Sequence, residues 1–562
     1  MRYNRRRGQS AAVRSSPRFR TIFHSYPQNV DSFCGTGIPM VESSSQRRRL
    51  GQFFTPTPVV ACAYGLLRGR LPPHPRIADP ACGDGAFLRF AAAHGLAAPA
   101  ALAGCDVDGA LVARLAAEGL PGVRRADGLA ADSLPAAAFD LVVGNPPFGV
   151  ATPRDGSPLA SEARFLLRAL DLVRPGGYIA LVLPSGILAN ERLRGMRADL
   201  LRRVTLLAVL DLPRETFRRV GTSAACSLLV VQAAPAPAGH RAFFGSAASL
   251  DDLPALVAAF HGPAAAPQPA GALPTAGGAP AHTRCASPHL SDYFWVEQGP
   301  ALAERLDAHF WQPSFQRLME RLAAPPFVAL GELLGRGGLL AGDHVRPSRG
   351  ESKGPGLPYE YYQTREFLPA GYNFARIERC DERAFRRLAR TAVQRGDVLV
   401  SCAGIGGAGR GRVCLVTHEP GPSCTGDVFI LRPAGIDPTY LFLFLGGRWG
   451  RAQLLRLQNG VGTANLSAGE LRQVRVPLVP LPEQRRFAAA YAPARAAHDR
   501  SVAALRRGDA AAFARGQARA AALLAAAREH LDRAMDGGCG EGMAKNECQA
   551  QAPRSQGERV GE

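Results

Sequence analysis

The sequence predicts an α/β protein with a doubly wound, mostly parallel sheet in its first half and a β-rich α+β domain with flanking helices in its second. Three observations lead to this fold class. Between residues 50 and 235, short apolar runs of strand length alternate with helical patterns, which is typical of βαβ units. Residues 327–480 instead carry short strand-like runs between glycine-rich turns. The chain of 562 residues is also too long for a single hydrophobic core.

The elements of the first half follow one another as expected of a βαβ series. A glycine-rich turn follows the first strand, and the turn Pro175-Gly176-Gly177 precedes the fourth. We expect strands at residues 76–78, 101–107, 139–144, 178–183, 204–212 and 225–232, and helices at 87–94, 109–118 and 161–173.

Residues 261–298 are rich in Pro, Ala and Gly, and this composition predicts a linker. It separates a first domain at 48–260 from a second domain at 299–482, which a helical C-terminal region at 483–537 follows. The second domain is expected to open with a helix over 299–322, because apolar residues lie on one helical stripe there. These apolar residues are Leu302, Leu306, Phe310, Leu318 and Leu322.

Both ends of the chain are predicted to be disordered, at residues 1–47 and 538–562. The basic N-terminal tail resembles a transit peptide in composition but has no clear amphipathic helix. The preferred interpretation is a disordered tail, or else an unused upstream start that would leave 1–39 untranslated and make Met40 the first residue.

The charge balance favours a polyanionic partner such as nucleic acid. The formal net charge is +20 and the pI is near 10.1. Lys353 and Lys545 are the only lysines, so nearly all of the basic residues are arginines. GC-rich coding accounts for part of this arginine content, although not for the excess of bases over acids.

Cysteine spacing and hydropathy indicate a reducing, aqueous environment. The 12 cysteines are scattered without any C-x-x-C pair, which predicts buried free thiols and no metal framework. No apolar run approaches the roughly 20 residues that span a bilayer. We therefore expect a soluble, cytoplasmic protein that has no membrane partner.

The most informative motif is Phe139-Asp140-Leu141-Val142-Val143-Gly144-Asn145-Pro146-Pro147-Phe148-Gly149. Its apolar run predicts a strand that ends at two prolines, because neither proline can donate a ladder hydrogen bond. Ligands bind at such strand ends in open α/β sheets. The Asn145 amide, the free carbonyls and the Phe148 ring would then accept a flat ligand that carries an amino group. A strand followed by a proline-rich turn is the alternative.

A second motif, Asp79-Pro80-Ala81-Cys82-Gly83-Asp84-Gly85-Ala86-Phe87-Leu88, follows the first strand. Gly83 and Gly85 allow the backbone to approach a ligand closely. Leu88 stands where a dinucleotide fingerprint has its third glycine, and no Gly-Lys-Ser/Thr phosphate loop occurs. The acidic residues around this loop suit a cationic or amine-bearing ligand, and a purely structural turn is the alternative.

Two further carboxylates complete the pattern. Asp106 ends the second strand, where a carboxylate accepts hydrogen bonds from ribose hydroxyls, and Asp108 is a candidate helix N-cap. Asp127 precedes Gly128 and could accept from an adenine amino group, although Asp-Gly is usually only a turn.

Together with Gly51-Gln52-Phe53-Phe54-Thr55-Pro56, these motifs resemble the S-adenosylmethionine-dependent N6-adenine DNA methyltransferases of restriction-modification systems. Their order is similar to that of type I modification subunits and single-chain type II enzymes. The resemblance covers about 48–235. It implies a Rossmann-like methyltransferase domain at 48–260, S-adenosylmethionine as cofactor, no metal, and the activity of a site-specific adenine DNA methyltransferase.

The resemblance also implies roles for individual residues. Asn145 and the carbonyl of Pro146, beside Pro147, would hold the target amino group so that its lone pair leaves ring conjugation. Phe148 would stack on a flipped-out adenine, and Phe217 would close its other face unless it is a core residue. The residues implied to line the cofactor are Thr55, Asp79, Ala81, Gly83 and Gly85, with Asp106 on its ribose and Asp127 on its adenine.

The second half resembles one target-recognition domain of a type I specificity subunit over about 300–500. The matching segments are 305–313, 395–401, 437–441, 459–463 and 476–484. This resemblance implies that 299–482 is a DNA target-recognition domain. Arg346, Arg349, Arg410 and Arg412 lie in glycine-rich loops that could meet phosphates or guanines, and solvated surface arginines are the alternative.

The two resemblances in one chain favour a sequence-specific DNA adenine methyltransferase that acts on double-stranded DNA within a restriction-modification or anti-phage system. A protein-glutamine or RNA methyltransferase and a non-catalytic DNA-binding modification subunit are the alternatives. Glu351-Ser352-Lys353 is the single acidic-x-Lys element in the sequence, so we expect no cleavage by this chain alone. A separate restriction nuclease or helicase subunit and a homodimer are the further partners considered.

Overall fold

The computed structural model describes residues 54–148, 159–213, 215–217, 225–262, 293–323, 326–401, 403–404, 412–458 and 464–538. We call the described residues up to 297 the first lobe and those from 313 onward the second lobe. Residues 299–312 join them and are called the connecting segment.

A nine-stranded sheet forms the centre of the first lobe. Its strands are β1 (Ile77–Asp79), β2 (Leu102–Asp106), β3 (Val123–Arg125), β4 (Phe139–Gly144), β5 (Val173–Pro184), β6 (Thr205–Asp211), β7 (Cys226–Gln232), β8 (Arg241–Ser246) and β9 (Tyr293–Glu297). Their order across the sheet is β3-β2-β1-β4-β5-β7-β6-β8-β9. All run in one direction except β7 and β9, which are antiparallel to their neighbours. The predicted doubly wound, mostly parallel α/β sheet is therefore confirmed.

Helices cover both faces of this sheet. They are α1 (Thr57–Leu66), α2 (Ala86–Ala93), α3 (Gly109–Ala117), α4 (Ser161–Leu172), α5 (Ser185–Ala189), α6 (Arg194–Arg203) and α7 (Leu253–Phe260). Leu141 and Val143 of β4 pack into the core beneath α1, α2 and α7, whereas Val142 between them packs into the core beneath α4 and α6. Because both faces are buried, the strands are continuous apolar runs rather than alternating patterns.

The predicted linker at 261–298 lies mostly outside the described residues, but its last part is a strand. Tyr293–Glu297 pairs antiparallel with β8 as the edge of the sheet. Phe294 stacks on Phe244, and Trp295 stacks on Phe260. Aromatic residues favour strands, so Tyr-Phe-Trp-Val was a local strand signal that the surrounding proline-rich composition outweighed.

The helix expected over 299–322 is wrong for most of its length. The chain makes two 3-10 turns, Pro300–Ala303 and Ala308–Trp311, and becomes α-helical only in α8 (Pro313–Arg321). Asp307 caps the second turn by accepting a hydrogen bond from the Phe310 N–H at 3.3 Å. Gln312 is extended, at φ −51° and ψ 133°, as the steric demand of the following proline favours.

Several small sheets make up the β-rich second lobe. Its strands are β10 (Phe327–Ala329), β11 (Leu334–Ala341), β12 (Tyr359–Tyr362), β13 (Phe367–Leu368), β14 (Gly371–Tyr372), β15 (Glu378–Cys380), β16 (Val398–Ser401), β17 (Ala403–Gly404), β18 (Val413–Leu415), β19 (Ser423–Thr425), β20 (Val428–Pro433), β21 (Ala464–Asn465) and β22 (Arg475–Pro477). The largest sheet has the order β11-β20-β16-β18, and another has the order β15-β12-β19. This arrangement matches the predicted β-rich domain.

Helices flank these sheets, also as predicted. They are α9 (Glu382–Leu388), α10 (Pro438–Gly446), α11 (Arg448–Arg456), α12 (Ala468–Arg472), α13 (Leu481–Ala489), α14 (Ala492–Arg506) and α15 (Ala510–Gly538). α10 is buried along nearly its whole length, and its Tyr440 hydroxyl donates to the Pro477 carbonyl at 3.0 Å. α14 and α15 pack against each other at the C-terminal end of the described chain.

The described part of the chain holds no helix with the length and apolarity needed to cross a membrane. Its cysteines are buried free thiols: Cys62, Cys82, Cys105, Cys226, Cys380, Cys414 and Cys424.

We expect Leu229→Ala to lower the free energy of unfolding of the first lobe by about 2–5 kcal/mol, because Leu229 is fully buried on β7 and truncation leaves a cavity. Urea unfolding followed by tryptophan fluorescence measures this change. Leu478→Ala is the matched control, since Leu478 is 40% exposed and should change stability by less than about 0.5 kcal/mol. Equal effects of the two substitutions would contradict the burial argument.

Candidate active site

The predicted motifs converge at one edge of the large sheet. β1 ends at Asp79, β2 at Asp106, and β4 at Gly144, immediately before Asn145. β1 pairs in parallel with both β2 and β4, so the carboxyl ends of all three strands lie side by side. The chain reverses its winding direction between β1 and β4, and crevices at such points are the usual ligand sites of doubly wound sheets.

The glycine-rich loop after β1 is held in position by Asp106. Gly83 donates its backbone N–H to Asp106 Oδ2 at 2.8 Å, and the Asp108 N–H donates to Asp106 Oδ1 at 2.9 Å. A carboxylate has about four acceptor positions, so Asp106 can still accept from a ligand. Asp108 caps α3 by accepting from the N–H groups of Ala110 and Leu111, as predicted.

Gly83 and Gly85 both need the conformational freedom of glycine. Their φ angles are +52° and +77°, and Gly85 is the residue that precedes α2. A Cβ on Gly85 would lie 2.5 Å from Leu115, whereas a Cβ on Gly83 would meet only the Phe54 ring, at 3.9 Å. The loop is thus packed tightly on its α3 side and is open at Gly83.

Asp79 lies against Gly144, the last residue of β4, immediately before the Asn-Pro-Pro turn. A Cβ on Gly144 would be only 2.8 Å from Asp79 Oδ1, so the carboxylate contacts the end of β4 directly. The same oxygen accepts the Ala81 N–H at 3.1 Å. Asp79 is 1% exposed, and burial, together with the charges of Asp106 and Asp84, raises its pKa to about 8.

Three carboxylates therefore share this edge, and the positive charges of Arg89 and Arg114 act on Asp84, where they lower the pKa. Burial raises the pKa of Asp84 and of Asp106 as well as that of Asp79. Hydrogen bonds from Ala86 to Asp84, and from Gly83 and Asp108 to Asp106, oppose the effect. A positively charged ligand would relieve the desolvation and mutual repulsion of these groups.

Asp127 approaches the same loop from β3. It is exposed, and its Oδ1 accepts the Leu129 N–H at 2.9 Å in an Asx turn. Gly128 packs against the loop, because a Cβ there would be 1.7 Å from the Pro80 carbonyl oxygen. Only glycine permits this contact, so the weak Asp-Gly signal marks a turn that is built against the site.

The described end of the Thr-Pro segment also lies at the site. Thr55 is half-buried, and the neighbouring Phe54 ring faces Gly83. Pro56 precedes α1, whose Tyr64 hydroxyl donates to the Phe87 carbonyl of α2 at 3.0 Å. The structure thus brings Thr55, Asp79, Ala81, Gly83, Gly85, Asp106 and Asp127 together around one loop.

The Asn-Pro-Pro-Phe motif forms the other wall. Pairing of β4 with β5 ends at Gly144 and Leu181, one residue before Asn145. Asn145 and Pro147 are half-buried, whereas Pro146 and Phe148 are buried. Within the described residues, no backbone N–H donates to the Pro146 carbonyl, which is available as an acceptor.

Phe217 reaches this wall from the end of β6. Its ring packs edge-to-face on Phe148, with centroids 6.3 Å apart and an interplanar angle of 89°. Phe217 is fully buried, as the alternative of a core residue requires. Because the two ring planes are perpendicular, one flat base cannot stack on both rings in this geometry, and the role of Phe217 as a second stacking face stays a prediction.

Sequence reasoning missed two residues at this edge. Val107 follows Asp106 and is 51% exposed, and it is one of three large apolar side chains that are exposed in the described part of the chain. Arg168 of α4 is buried, and its guanidinium donates to the carbonyls of Gly128, Ala130, Ala131 and Leu134. Val107 could have been found from its place directly after Asp106 at the end of β2. No local sequence pattern predicted that Arg168 would hold the turn after Asp127.

The candidate residues of the second lobe are spread over several loops. Arg349 is exposed, Arg346 pairs with Asp343 at 2.5 Å, and Arg412 is half-buried. Arg410 and the segment 459–463 lie outside the described residues. Both charged residues of the acidic-x-Lys element form ion pairs within the second lobe. Glu351 pairs with Arg387 at 2.6 Å, and Lys353 lies 3.5 Å from Glu378. The hydrogen bond from Arg387 is the main reason that the pKa of Glu351 falls to about 2.

The part of the chain that the structure describes contains no cluster of three or more His, Cys, Asp or Glu side chains suited to a metal ion.

Comparison with known proteins shows what part of the first lobe is similar to. Residues 115–247 match the family model described as N-6 DNA methylase, and this range includes Asp127, Asn145, Phe148 and Phe217. This part of the chain is therefore similar to the N-6 DNA methylases.

Two curated proteins and one solved structure illustrate the similarity. "Defense against restriction protein B" of Escherichia phage P1 is 33% identical over 115 residues, which cover 19% of this chain and 5% of the phage protein. "Type II methyltransferase M.TthHB8I" of Thermus thermophilus is 30% identical over 189 residues, which cover 29% of this chain and 41% of that protein. The type I restriction enzyme EcoKI M protein has 21% identity and a TM-score of 0.29, over 35% of this chain and 48% of that one. The chain thus spans less than half the length of each curated relative.

Asp79→Asn should stabilise the first lobe increasingly as the pH rises. The folded-state pKa of Asp79 is about 8, far above its ordinary value of 3.8, so folding favours the protonated form. The stability that this proton supplies is complete below about pH 4 and is lost as the pH rises through 8. The difference in Tm between variant and wild type should grow from pH 4 to 8 and level off above that, as differential scanning calorimetry would show.

The control for this prediction is Asp132→Asn, which changes an exposed carboxylate near the same loop and should leave the Tm profile unchanged. A constant Tm difference between Asp79→Asn and the wild type across this pH range would contradict the assignment.

Proposed function

We propose that this protein is a sequence-specific DNA methyltransferase that transfers a methyl group from S-adenosylmethionine to adenine N6. The observation that carries the proposal is the contact between Asp79 and Gly144, because it joins the acidic glycine loop to the Asn-Pro-Pro-Phe turn within one crevice. One wall suits a cationic cofactor and the other suits a flat amine.

The chain's own residues fit S-adenosylmethionine. The buried carboxylate of Asp79 and the half-buried carboxylate of Asp84 favour a ligand with positive charge, and Gly83 leaves the loop open toward it. Asp106 would accept from the ribose, Asp127 from the adenine amino group, and Val107 would cover one face of that ring. Thr55 and Ala81 would line the methionine end. When bound, the cofactor supplies a sulfonium methyl group that the target nitrogen takes, with loss of one amino proton and release of the thioether.

The Asn-Pro-Pro-Phe wall would hold the target base. The Asn145 side-chain oxygen and the Pro146 carbonyl each accept one amino hydrogen, which draws the nitrogen lone pair out of ring conjugation and fixes its direction. Pro147 keeps the turn rigid, and Phe148 stacks on the ring. The gain in rate comes from positioning and from fixed dipoles. An adenine in duplex DNA must be flipped out to reach this wall.

The second lobe would recognise the DNA sequence. Its position after the methyltransferase domain, the net charge of +20 and the arginines of its loops support a double-stranded DNA partner. The alternatives, a protein-glutamine or RNA methyltransferase and a non-catalytic modification subunit, fit a separate recognition lobe less well. We place the protein in the cytoplasm, in a restriction-modification or anti-phage system beside a nuclease or helicase subunit and with a homodimer as a further option. Incubation with labelled cofactor and plasmid DNA tests the proposal, and label in cytosine, RNA or protein instead of adenine N6 would refute it.

Asn145→Ala should lower the rate of methyl transfer about 10²–10³-fold, because it removes one of the two acceptors that orient the amino group. Cofactor affinity should stay within about twofold, since Asn145 lies on the opposite wall. Single-turnover methylation and isothermal titration calorimetry measure the two quantities. A full loss of cofactor binding would contradict the assignment of the walls.

Asp106→Asn should weaken cofactor binding by about ten- to a hundredfold, the loss expected when a hydrogen bond to a charged acceptor is replaced by one to a neutral acceptor. The amide oxygen can still accept the Gly83 N–H that holds the loop, whereas the amide NH2 cannot accept the Asp108 N–H, so the Tm of the variant is measured alongside the affinity. Titration calorimetry measures the affinity, and Asn145→Ala is the matched control. Unchanged affinity would remove Asp106 from the cofactor site.

A further inference from the structure

The connecting segment is held from both sides by buried side chains. From the first lobe, Arg197 of α6 is 0% exposed and donates to the carbonyls of Ala303 and Glu304 at 2.9 and 2.6 Å. The same guanidinium donates to the carbonyls of Ile187 and Asn190. The start of the segment is therefore fastened to the first lobe.

Arg305, the next residue, fastens the segment to the second lobe. It is 2% exposed, and its Nε and one terminal nitrogen donate to the two oxygens of Asp307 at 2.6 and 2.9 Å. It also donates to Glu470 Oε1 at 2.7 Å and to the carbonyls of Leu457 and Gln458 at 3.3 and 3.1 Å. These bonds use all five N–H groups that a guanidinium can offer.

His309 bridges the lobes by itself. Its backbone N–H donates to Asp211 Oδ2 at 3.0 Å, at the carboxyl end of β6. Its imidazole Nε2 lies 2.8 Å from the carbonyl oxygen of Leu455, on α11 of the second lobe. Asp211 also accepts the Ser227 hydroxyl at 2.7 Å, so it is fixed from both sides.

The two anchor points lie at functionally placed positions. Asp211 ends the strand after which Phe217 contacts Phe148 on the proposed target-base wall. Leu455, Leu457 and Gln458 lie at and just beyond the end of α11, on the lobe proposed to read DNA. Elsewhere on this interface, a Cβ on Gly469 would be 2.5 Å from Glu191 of the first lobe, which shows how closely the lobes approach.

We infer that Arg305 is a positioning residue: it holds the recognition lobe in one fixed orientation to the methyltransferase crevice, and methyl transfer to DNA depends on that orientation. The inference rests on the proposed function. Arg305 touches neither the cofactor loop nor the Asn-Pro-Pro-Phe turn, so it acts only through the connecting segment.

The test compares Arg305→Lys with the wild-type full chain. A lysine keeps the charge but has three donors on a single nitrogen, so it cannot make the two-pronged bond to Asp307 and also reach Glu470 and two carbonyls. We expect cofactor affinity to stay within about twofold, while the single-turnover methylation rate at saturating DNA falls about ten- to a hundredfold. Sequencing of methylated plasmid should also show more adenines modified outside the preferred site.

A second variant guards against a simple failure to fold. Arg305→Met with Asp307→Asn and Glu470→Gln removes Arg305 together with the two carboxylates that it pairs with, while the neighbouring Arg197 and Arg456 keep their charges. It should bind cofactor normally and show the same loss of rate. Arg194→Ala is the control, because the Arg194–Glu304 ion pair lies on the same segment but is exposed, at 61% and 47% for its two side chains.

The outcomes separate the two proposals. No methylation of DNA by the wild type would refute the proposed function, and calorimetry would then still decide the lobe orientation. A single thermal transition that splits into two in both Arg305 variants supports the inference. Undiminished rate and site preference in both variants, one unsplit transition, or a loss of rate matched by an equal loss of cofactor binding would each overturn it.

Discussion

The candidate site depends on the contact between the Asp79 carboxylate and Gly144. β1 and β4 are adjacent, and the two chemistry-bearing segments leave the sheet at the residues that touch. A side chain at position 144 would collide with the carboxylate, so the close approach needs glycine there. The contact fixes the distance between the acidic loop and the Asn-Pro-Pro-Phe turn, and it keeps Asp79 buried at the expense of an elevated pKa. Because burial disfavours the ionised form of Asp79, a cationic ligand bound beside it would stabilise that form.

Sequence patterns located this crevice because its signals are local. Apolar runs predicted β1, β2 and β4, and the residues that end them, Asp79, Asp106 and Asn145, lie where parallel strands present their carboxyl ends. The Asp108 cap was equally local, since an N-cap needs only its own helix. The clustering of these side chains follows from strand order, which the order of motifs along the chain was enough to suggest.

The features that escaped prediction depend on distant partners. The strand at Tyr293–Glu297 exists because β8 offers an unpaired edge. The segment after it is not helical because Arg197 of the first lobe binds its carbonyls and Arg305, within the segment, binds the carboxylate of Asp307. Most apolar residues of the stripe from Leu302 to Leu322 are buried, as expected of a helix facing a core. The backbone conformation of the segment instead follows from its buried ionic contacts and from Pro313, where the α-helix begins. Arg168 was missed for the same reason, because its acceptors lie 34–40 residues away in sequence.

Charged side chains are arranged in opposite ways at the crevice and at the connecting segment. At the crevice, burial raises the pKa of Asp79, Asp84 and Asp106 and so favours their protonated forms. At the connecting segment, Arg305 meets two carboxylates and two carbonyls, and its charge is fully compensated. The first arrangement suits a site that must receive a ligand, and the second suits a joint that must hold one geometry.

The strand at Tyr293–Glu297 also determines when the large sheet can be completed during translation. Until residue 297 has emerged from the ribosome, β8 is the outer strand of the sheet, with Phe243 and Phe244 beside an unpaired row of backbone groups. Such an edge pairs readily with other chains. A fragment that stops at the proline-rich stretch would carry this open edge, whereas one that extends through residue 312 would close it and keep the anchoring contacts of the connecting segment.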